Sequence, residues 1–144
     1  MFSKACEYAI RAVVYITGCS ADGQRSGLKE IAERTDSPEA FTAKILQKLS
    51  HAGLVLSMKG PGGGFEVTPE LAKKVRLSDI VSAIDGDRIY TGCALGLSQC
   101  NSEKPCPLHD HFIAVREDLR TMLEGTTLQD LVDGLRSGST FLRR

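Results

Sequence analysis

Apolar residues return every three or four positions along most of this chain, and the breaks in that rhythm divide it into elements. The most informative stretch runs from Ser37 to Thr68. Phe41, Ile45, Leu46 and Leu49 recur at helical spacing, with Ala52 completing the stripe and Lys44, Gln47, Lys48 and His51 between them. Ser37 is a favourable N-cap and Pro38 suits a first helical position, so a helix is predicted to start there. Gly53 stops it, as a residue tolerant of positive φ does. Leu54–Met58 reads as a strand, Gly60-Pro61-Gly62-Gly63-Gly64 as a turn, and Phe65–Thr68 as the return strand. A helix followed by a glycine-tipped hairpin is the second half of a winged helix-turn-helix.

The rest of the pattern fits around that unit. Residues 3–18 form a first helix with Ala5, Ala9, Ala12, Val13 and Ile16 on one face. Residues 27–34 form a second, short helix, and Thr35–Pro38 is a tight turn into the third, which gives the helix-turn-helix pattern. Thr68-Pro69 starts another short helix, and Leu77–Ile84 carries an apolar face before Asp85-Gly86-Asp87 breaks it. Residues 86–107 have no sustained period and contain Cys93, Cys100 and Cys106; a structureless stretch of about twenty residues in a compact domain is usually functional or disordered. From Leu108 to Glu124 a long helix places Leu108, Phe112, Val115, Leu119 and Met122 on a heptad-like seam. Thr127 and Asp130 resemble a capping box for a last helix.

The expected fold is therefore mostly α with a small β-hairpin. A winged helix-turn-helix domain spans residues 1–85 and a cysteine-containing loop 86–107. A dimerisation helix and terminal helix cover 108–136, and a flexible tail 137–144. Twofold dimers are the commonest oligomers, and helix-turn-helix proteins use them to match two half-sites.

Composition adds constraints. The 144 residues suit one domain with a real core. The chain has no run of about eighteen apolar residues, and its N-terminus lacks the features of a secretory signal, so a cytoplasmic protein with no membrane span is expected. Formal net charge is zero, but it is unevenly divided. Residues 1–76 hold eleven Lys and Arg against eight Asp and Glu, and residues 77–144 hold seven against ten. The basic half contains the helix and hairpin. No phosphate loop and no nucleophile–base pair are present, and Gly62-Gly63-Gly64 lacks the following helix that a phosphate cradle needs, so the chain is not expected to be an enzyme.

Five cysteines are an odd number, which argues against a simple disulfide framework. Six residues separate Cys93 from Cys100, five separate Cys100 from Cys106, and two separate Cys106 from His109. Such a loop can wrap an iron–sulfur cluster, because thiolates are its usual ligands and histidine an accepted substitute. It also admits a zinc site, a thiol–disulfide pair, or unreactive loop cysteines, although structural zinc usually shows cysteine pairs two to four apart.

Taken in order, the N-terminal helix, the segment Ser37–Leu49, the wing GLVLSMKGPGGGFEVT, the helix LSDIVSAIDG and the three-cysteine loop before a long helix resemble the Rrf2 family of bacterial transcription regulators, in its IscR- and NsrR-like iron–sulfur branch. The likeness covers nearly the whole chain to about Arg136. It implies a homodimer that binds double-stranded, palindromic operator DNA. DNA affinity would be controlled by a cluster, [2Fe-2S] or [4Fe-4S], through redox state, nitric oxide or cluster status. Cys93, Cys100 and Cys106 are the implied ligands, and His109 and Glu7 are both candidates for the fourth. Ser37, Pro38, Ala40, Thr42, Ala43 and Lys44 are expected at the groove end of the recognition helix. Hydroxyls and methyl groups there read bases, Lys44 and Lys48 hold phosphates, and Lys59 beside Gly60 enters the minor groove from the wing. A winged-helix regulator switched by thiol oxidation or by a small-molecule effector is the alternative.

Overall fold

In the computed structural model, which describes residues 1–142, the other elements are organised around the first helix. Helix α1 runs Lys4–Ala21. Its N-cap is Ser3, whose hydroxyl accepts from the Cys6 amide at 3.0 Å and donates to Asp85. The Ser3 amide donates to the other Asp85 oxygen at 3.1 Å. Cys6, Ala9, Ala12, Val13 and Ile16 are buried, and the small side chains among them let neighbouring helices approach closely.

Helices α2 (Leu28–Thr35), α3 (Glu39–His51), α4 (Pro69–Lys74), α5 (Leu77–Asp85) and α8 (Leu128–Arg136) pack directly on α1. Helix α6 (Arg88–Thr91) packs on α7 (His109–Gly125), and α7 packs on α5. The fully enclosed side chains Ile16, Ile31, Leu46, Leu49, Ile80, Leu123 and Leu128 come from six helices and form a single core. Each contributes about 1.5–3 kcal/mol by leaving water.

The turn into α3 differs from the expectation. The Ser37 amide donates to Ala32 O at 3.0 Å, closing α2 with Asp36 in the left-handed region at φ 51°. Ser37 Oγ lies 3.0 Å from Thr35 Oγ1 and 2.5 Å from Thr42 Oγ1. Because its polar groups are used this way, Ser37 does not cap α3; Pro38 occupies the N-cap and the helix begins at Glu39. The other end matches the prediction. Gly53 has φ 74°, and the Leu54 and Gly53 amides return to Leu49 O and Ser50 O at 3.0 Å each.

Strands β1 (Leu56–Met58) and β2 (Gly64–Glu66) pair antiparallel with Ser57 opposite Phe65. Both are shorter than their apolar runs because the flanking residues have other partners. Leu54 closes the α3 cap, the Val67 amide donates to Ser20 Oγ at 3.0 Å, and Thr68 caps α4. The free edge of β2 pairs with Ser26 through two backbone bonds of 3.0 and 2.8 Å. Glycine is required where these backbones meet: a Cβ on Gly63 would lie 2.3 Å from Met58 O, and one on Gly64 2.7 Å from Ser26 O. The result is a winged helix.

Two segments are more ordered than their composition suggests. The stretch read as structureless begins with α6, where Tyr90 is buried beneath the Arg120 guanidinium, 4.3 Å from the ring centre. The tail read as flexible folds back on α8, with the Ser139 and Thr140 amides both donating to Gly134 O at 3.1 Å; residues 143–144 of that tail lie outside the described residues. Among the described residues no helix is long and apolar enough to cross a membrane.

The α4–α5 and α7–α8 junctions are joined by backbone bonds from Leu77 to Thr126 O at 2.9 Å and from Leu128 to Val75 O at 3.0 Å. The capping box at α8 forms as predicted: Thr127 Oγ1 accepts from Asp130 N at 3.1 Å, and Asp130 Oδ2 accepts from Thr127 N at 2.9 Å. Thr127→Ala removes one half of it and is expected to cost about 1 kcal/mol. In urea titrations at fixed protein concentration the midpoint falls with an unchanged slope; an unchanged midpoint contradicts this.

Candidate metal centre and nucleic-acid interface

Three thiols converge at the surface. The sulfurs of Cys93, Cys100 and Cys106 all lie within 4.8 Å of one another, and those of Cys93 and Cys106 are 3.7 Å apart. The loop reaches this shape by local turn chemistry. The Gly96 amide returns to Cys93 O at 2.9 Å. Asn101 Oδ1 accepts from the Glu103 and Lys104 amides at 2.9 and 2.8 Å, which folds the chain between Cys100 and Cys106. The Cys106 amide then donates to Cys100 Sγ at 3.4 Å, and the His109 amide to Cys106 O at 3.0 Å, where α7 begins. The loop's entry is anchored to α7 by Arg116, which donates to Gly92 O at 2.7 Å.

The environment selects one thiol for ionisation. The Leu97 and Leu95 amides, aimed at its sulfur, hold the Cys93 thiol down to about 7, and the neighbouring thiols contribute further. At Cys100 the Cys106 amide also lowers the pKa, but desolvation and the two adjacent thiols outweigh it and the net shift is upward. Three thiolates this close repel one another, so all three ionise together only around a cation. A soft sulfur set gathered in this way fits a thiophilic metal or cluster.

The other candidate ligands fall into distinct places. His109 Nδ1 lies 3.2 Å from Cys100 Sγ, beside the triad. Glu7 is not in the converging set; its carboxylate, on the first turn of α1, pairs with Lys4 at 3.1 Å. Cys6 is fully buried, and burial together with Asp85 and Glu7 pushes its thiol up to about 12, so it has no part in the surface chemistry. The amide donors of Leu95 and Leu97 were not legible in the sequence, whereas Asn101, a strong turn former, was a usable signal.

The predicted DNA-facing residues are exposed or half-buried with one exception. Pro38, Ala40, Lys44, Lys48, Lys59 and Gly60 are exposed, and Ser37 and Ala43 half-buried. Thr42 is only 1% exposed. Its hydroxyl donates to Pro38 O at 2.8 Å and meets Ser37, so it fixes the start of α3 and presents nothing to a groove. Pro38 provides no side-chain cap, which leaves first-turn amides of α3 available to an anion. Arg25, overlooked in the sequence, reaches across to the wing: it donates to Gly62 O at 3.2 Å and pairs with Glu66 at 3.6 Å.

Comparison with known proteins identifies the family and the fold. Residues 2–134 match the family described as Rrf2, iron-dependent transcriptional regulator. A putative HTH-type transcriptional regulator of Aquifex aeolicus is 30% identical over 135 residues, covering 92% of each chain. Among solved structures, T. potens IscR superposes with a TM-score of 0.74 at 21% identity, covering 99% of this chain and 93% of its own. CymR, the global cysteine regulator of B. subtilis, gives 0.73 at 23%, covering 92% and 96%. At these identities the two structures establish the fold.

Alkylation tests the thiol environment. In reduced, metal-free protein Cys93 should react first with iodoacetamide. The thiolate is the nucleophile, so its rate rises with pH through a midpoint near 7 and falls as the thiol is protonated below it. Peptide mapping should leave Cys6 unlabelled. A Cys93 midpoint at the ordinary thiol value of about 8.5 contradicts the assignment.

Proposed function

The chain belongs to the Rrf2 family of transcriptional regulators, which are not enzymes, and we propose that it is a homodimeric, cytoplasmic regulator whose affinity for a palindromic operator is set by an iron–sulfur cluster on Cys93, Cys100 and Cys106. The observation that carries this reading is the convergence of three thiols within 4.8 Å on a loop tied to α7. When bound, a cluster supplies metal–sulfur bonds that respond to oxidants, nitric oxide and iron supply. The protein's own part is to hold three sulfurs in register, with His109 of the same loop or Glu7 of a second subunit completing the set.

Two features support the dimer. Leu108 at the start of α7 and Val115 and Met122 along it share one face and are 38–50% exposed, a row of large apolar side chains that a second copy would cover. An open groove of about 670 Å³ runs beside them, bounded by Phe2, Ile89, Cys93, Phe112 and Leu119, so a docking subunit would touch the thiol loop and the start of α1 together. Changing the bonds at Cys93 then changes the surface on which the subunits meet, and with it the separation of the two α3 helices.

On the DNA side Lys44 and Lys48 hold phosphates, and Ser37, Pro38, Ala40 and Ala43 flank the groove end of α3. Thr42 contributes from inside by fixing Ser37. Lys59, at the wing tip beside Gly60, enters the minor groove. The second reading, a thiol switch, is favoured by one distance: with their sulfurs 3.7 Å apart, Cys93 and Cys106 are placed to lose two electrons and two protons to an oxidant and form a disulfide.

Protein isolated without air should be coloured, with stoichiometric iron and sulfide, and each of Cys93→Ala, Cys100→Ala and Cys106→Ala should bleach it. A colourless, iron-free wild type whose mass falls by two hydrogens on mild oxidation would replace the cluster by the disulfide. Separately, Lys59→Ala should weaken binding and reduce the slope of log K against log salt by about 1; an unchanged slope removes Lys59 from the interface.

A further inference from the structure

On the side of α1 away from the thiols lies a cavity of about 450 Å³ that none of the preceding roles uses. That size falls within the usual range of small-ligand pockets, about 300–1,000 Å³. We propose that it is a binding pocket for a small amphipathic carboxylate. Its floor is one face of α1, from Arg11 through Gly18 to Asp22, and its walls are the end of α2 and the tail folded back from α8.

Three observations carry this. The first is Gly18. It sits inside α1 with a helical backbone, where glycine is unfavourable relative to alanine, and a Cβ built on it meets nothing within 4 Å. Neither backbone conformation nor packing requires glycine here; what its missing side chain does is leave the cavity open. The second is charge. Among the described residues Arg11, Arg34 and Arg136 line the space against a single carboxylate, Asp22, which is already paired with Arg136. Among the described residues neither Arg11 nor Arg34 has a carboxylate partner. Arg11 Nε is buried without a hydrogen-bond partner, its guanidinium lying 4.9 Å from the Tyr8 ring centre. That nitrogen is enclosed by the protein, so the charge-assisted donor open to a ligand carboxylate is the exposed Arg34 guanidinium. The third is lining: Val14, Leu135, Phe141 and Leu142 give the ligand's other end an apolar wall.

The position gives occupancy a route to the recognition helix. Thr35 lines the cavity, and its hydroxyl is the first of the chain Thr35–Ser37–Thr42 that sets the start of α3. A ligand ordering Arg34 and Thr35 bears directly on that turn.

The test is titration of the full-length protein with hexanoate, read by calorimetry and by amide shifts in ¹H–¹⁵N spectra, with acetate and hexylammonium as comparators. Saturable hexanoate binding should move the Gly18, Cys19 and Thr35 amides. Acetate, lacking the apolar end, and hexylammonium, with the charge reversed, should bind at least about tenfold more weakly. Gly18→Leu fills the space and should abolish binding while melting no lower than wild type. Arg34→Gln, an exposed change that spares the core, should weaken hexanoate about tenfold. Equal binding of hexanoate and hexylammonium, wild-type affinity in Gly18→Leu or Arg34→Gln, or shifts confined to other residues would each overturn the proposal. Binding is read on the protein alone, so its outcome is independent of whether a cluster sets DNA affinity.

Discussion

Burial of the small-residue face of α1 is the constraint on which the rest of the molecule depends. At its N-terminus the helix is bonded through Ser3 to Asp85 at the end of α5. Its middle supplies Ala9, Ala12, Val13 and Ile16 to the core. Near its C-terminus Ser20 accepts from Val67 at the base of the wing. An eighteen-residue helix is about 27 Å long, so one rigid element spans from the groove beside the thiol loop to the wing. The helices and the strand that pack on α1 share one tightly packed interior with it.

The cysteines show how one residue type takes different roles according to its surroundings. Cys6 is sealed in the core with a thiol pushed up to about 12 and behaves as a small apolar side chain. Cys19 lies at the edge of the second cavity. The remaining three sit together where backbone amides stabilise the first negative charge at Cys93 and the next charges repel it. That combination is unfavourable for an empty, fully ionised site and favourable for a cation-bound one, which is the electrostatic basis for reading the loop as a receptor. The same closeness places Cys93 and Cys106 for oxidation to a disulfide, so a bound metal would compete with that bond for the same sulfurs.

The hydrophobic rhythm located the helices, the wing and the capping box because these follow from neighbours three or four residues apart: Gly53 and the Thr127–Asp130 pair act where their local chemistry says. What was illegible depends on partners chosen by tertiary folding. Ser37 had the side chain of an N-cap, yet its bond to Thr42 and the closure of α2 claimed it, and Thr42, polar and on the helix thought to face DNA, is buried by the same pairing. On α7 Val115 and Met122 are exposed, whereas Leu119 packs against the core and the fully buried Leu123 was missed. Spacing put three cysteines in one loop; their convergence needed the Asn101 turn. The ordering of 88–91 and of the tail rests on single anchors, Tyr90 under Arg120 and the carbonyl of Gly134, which carry no periodic signature.

Coupling between the thiol loop and the DNA surface is most directly measured as a difference in operator affinity. Protein prepared without oxygen is titrated onto a labelled operator fragment at one salt concentration, then again after its iron has been removed by a chelator under the same atmosphere, with the dimer confirmed in both. Two distinct affinities are expected, separated by roughly 5- to 150-fold as for coupled sites generally. Superimposable isotherms, with iron present in one sample and absent from the other, would contradict control of DNA binding by a cluster on the three thiols.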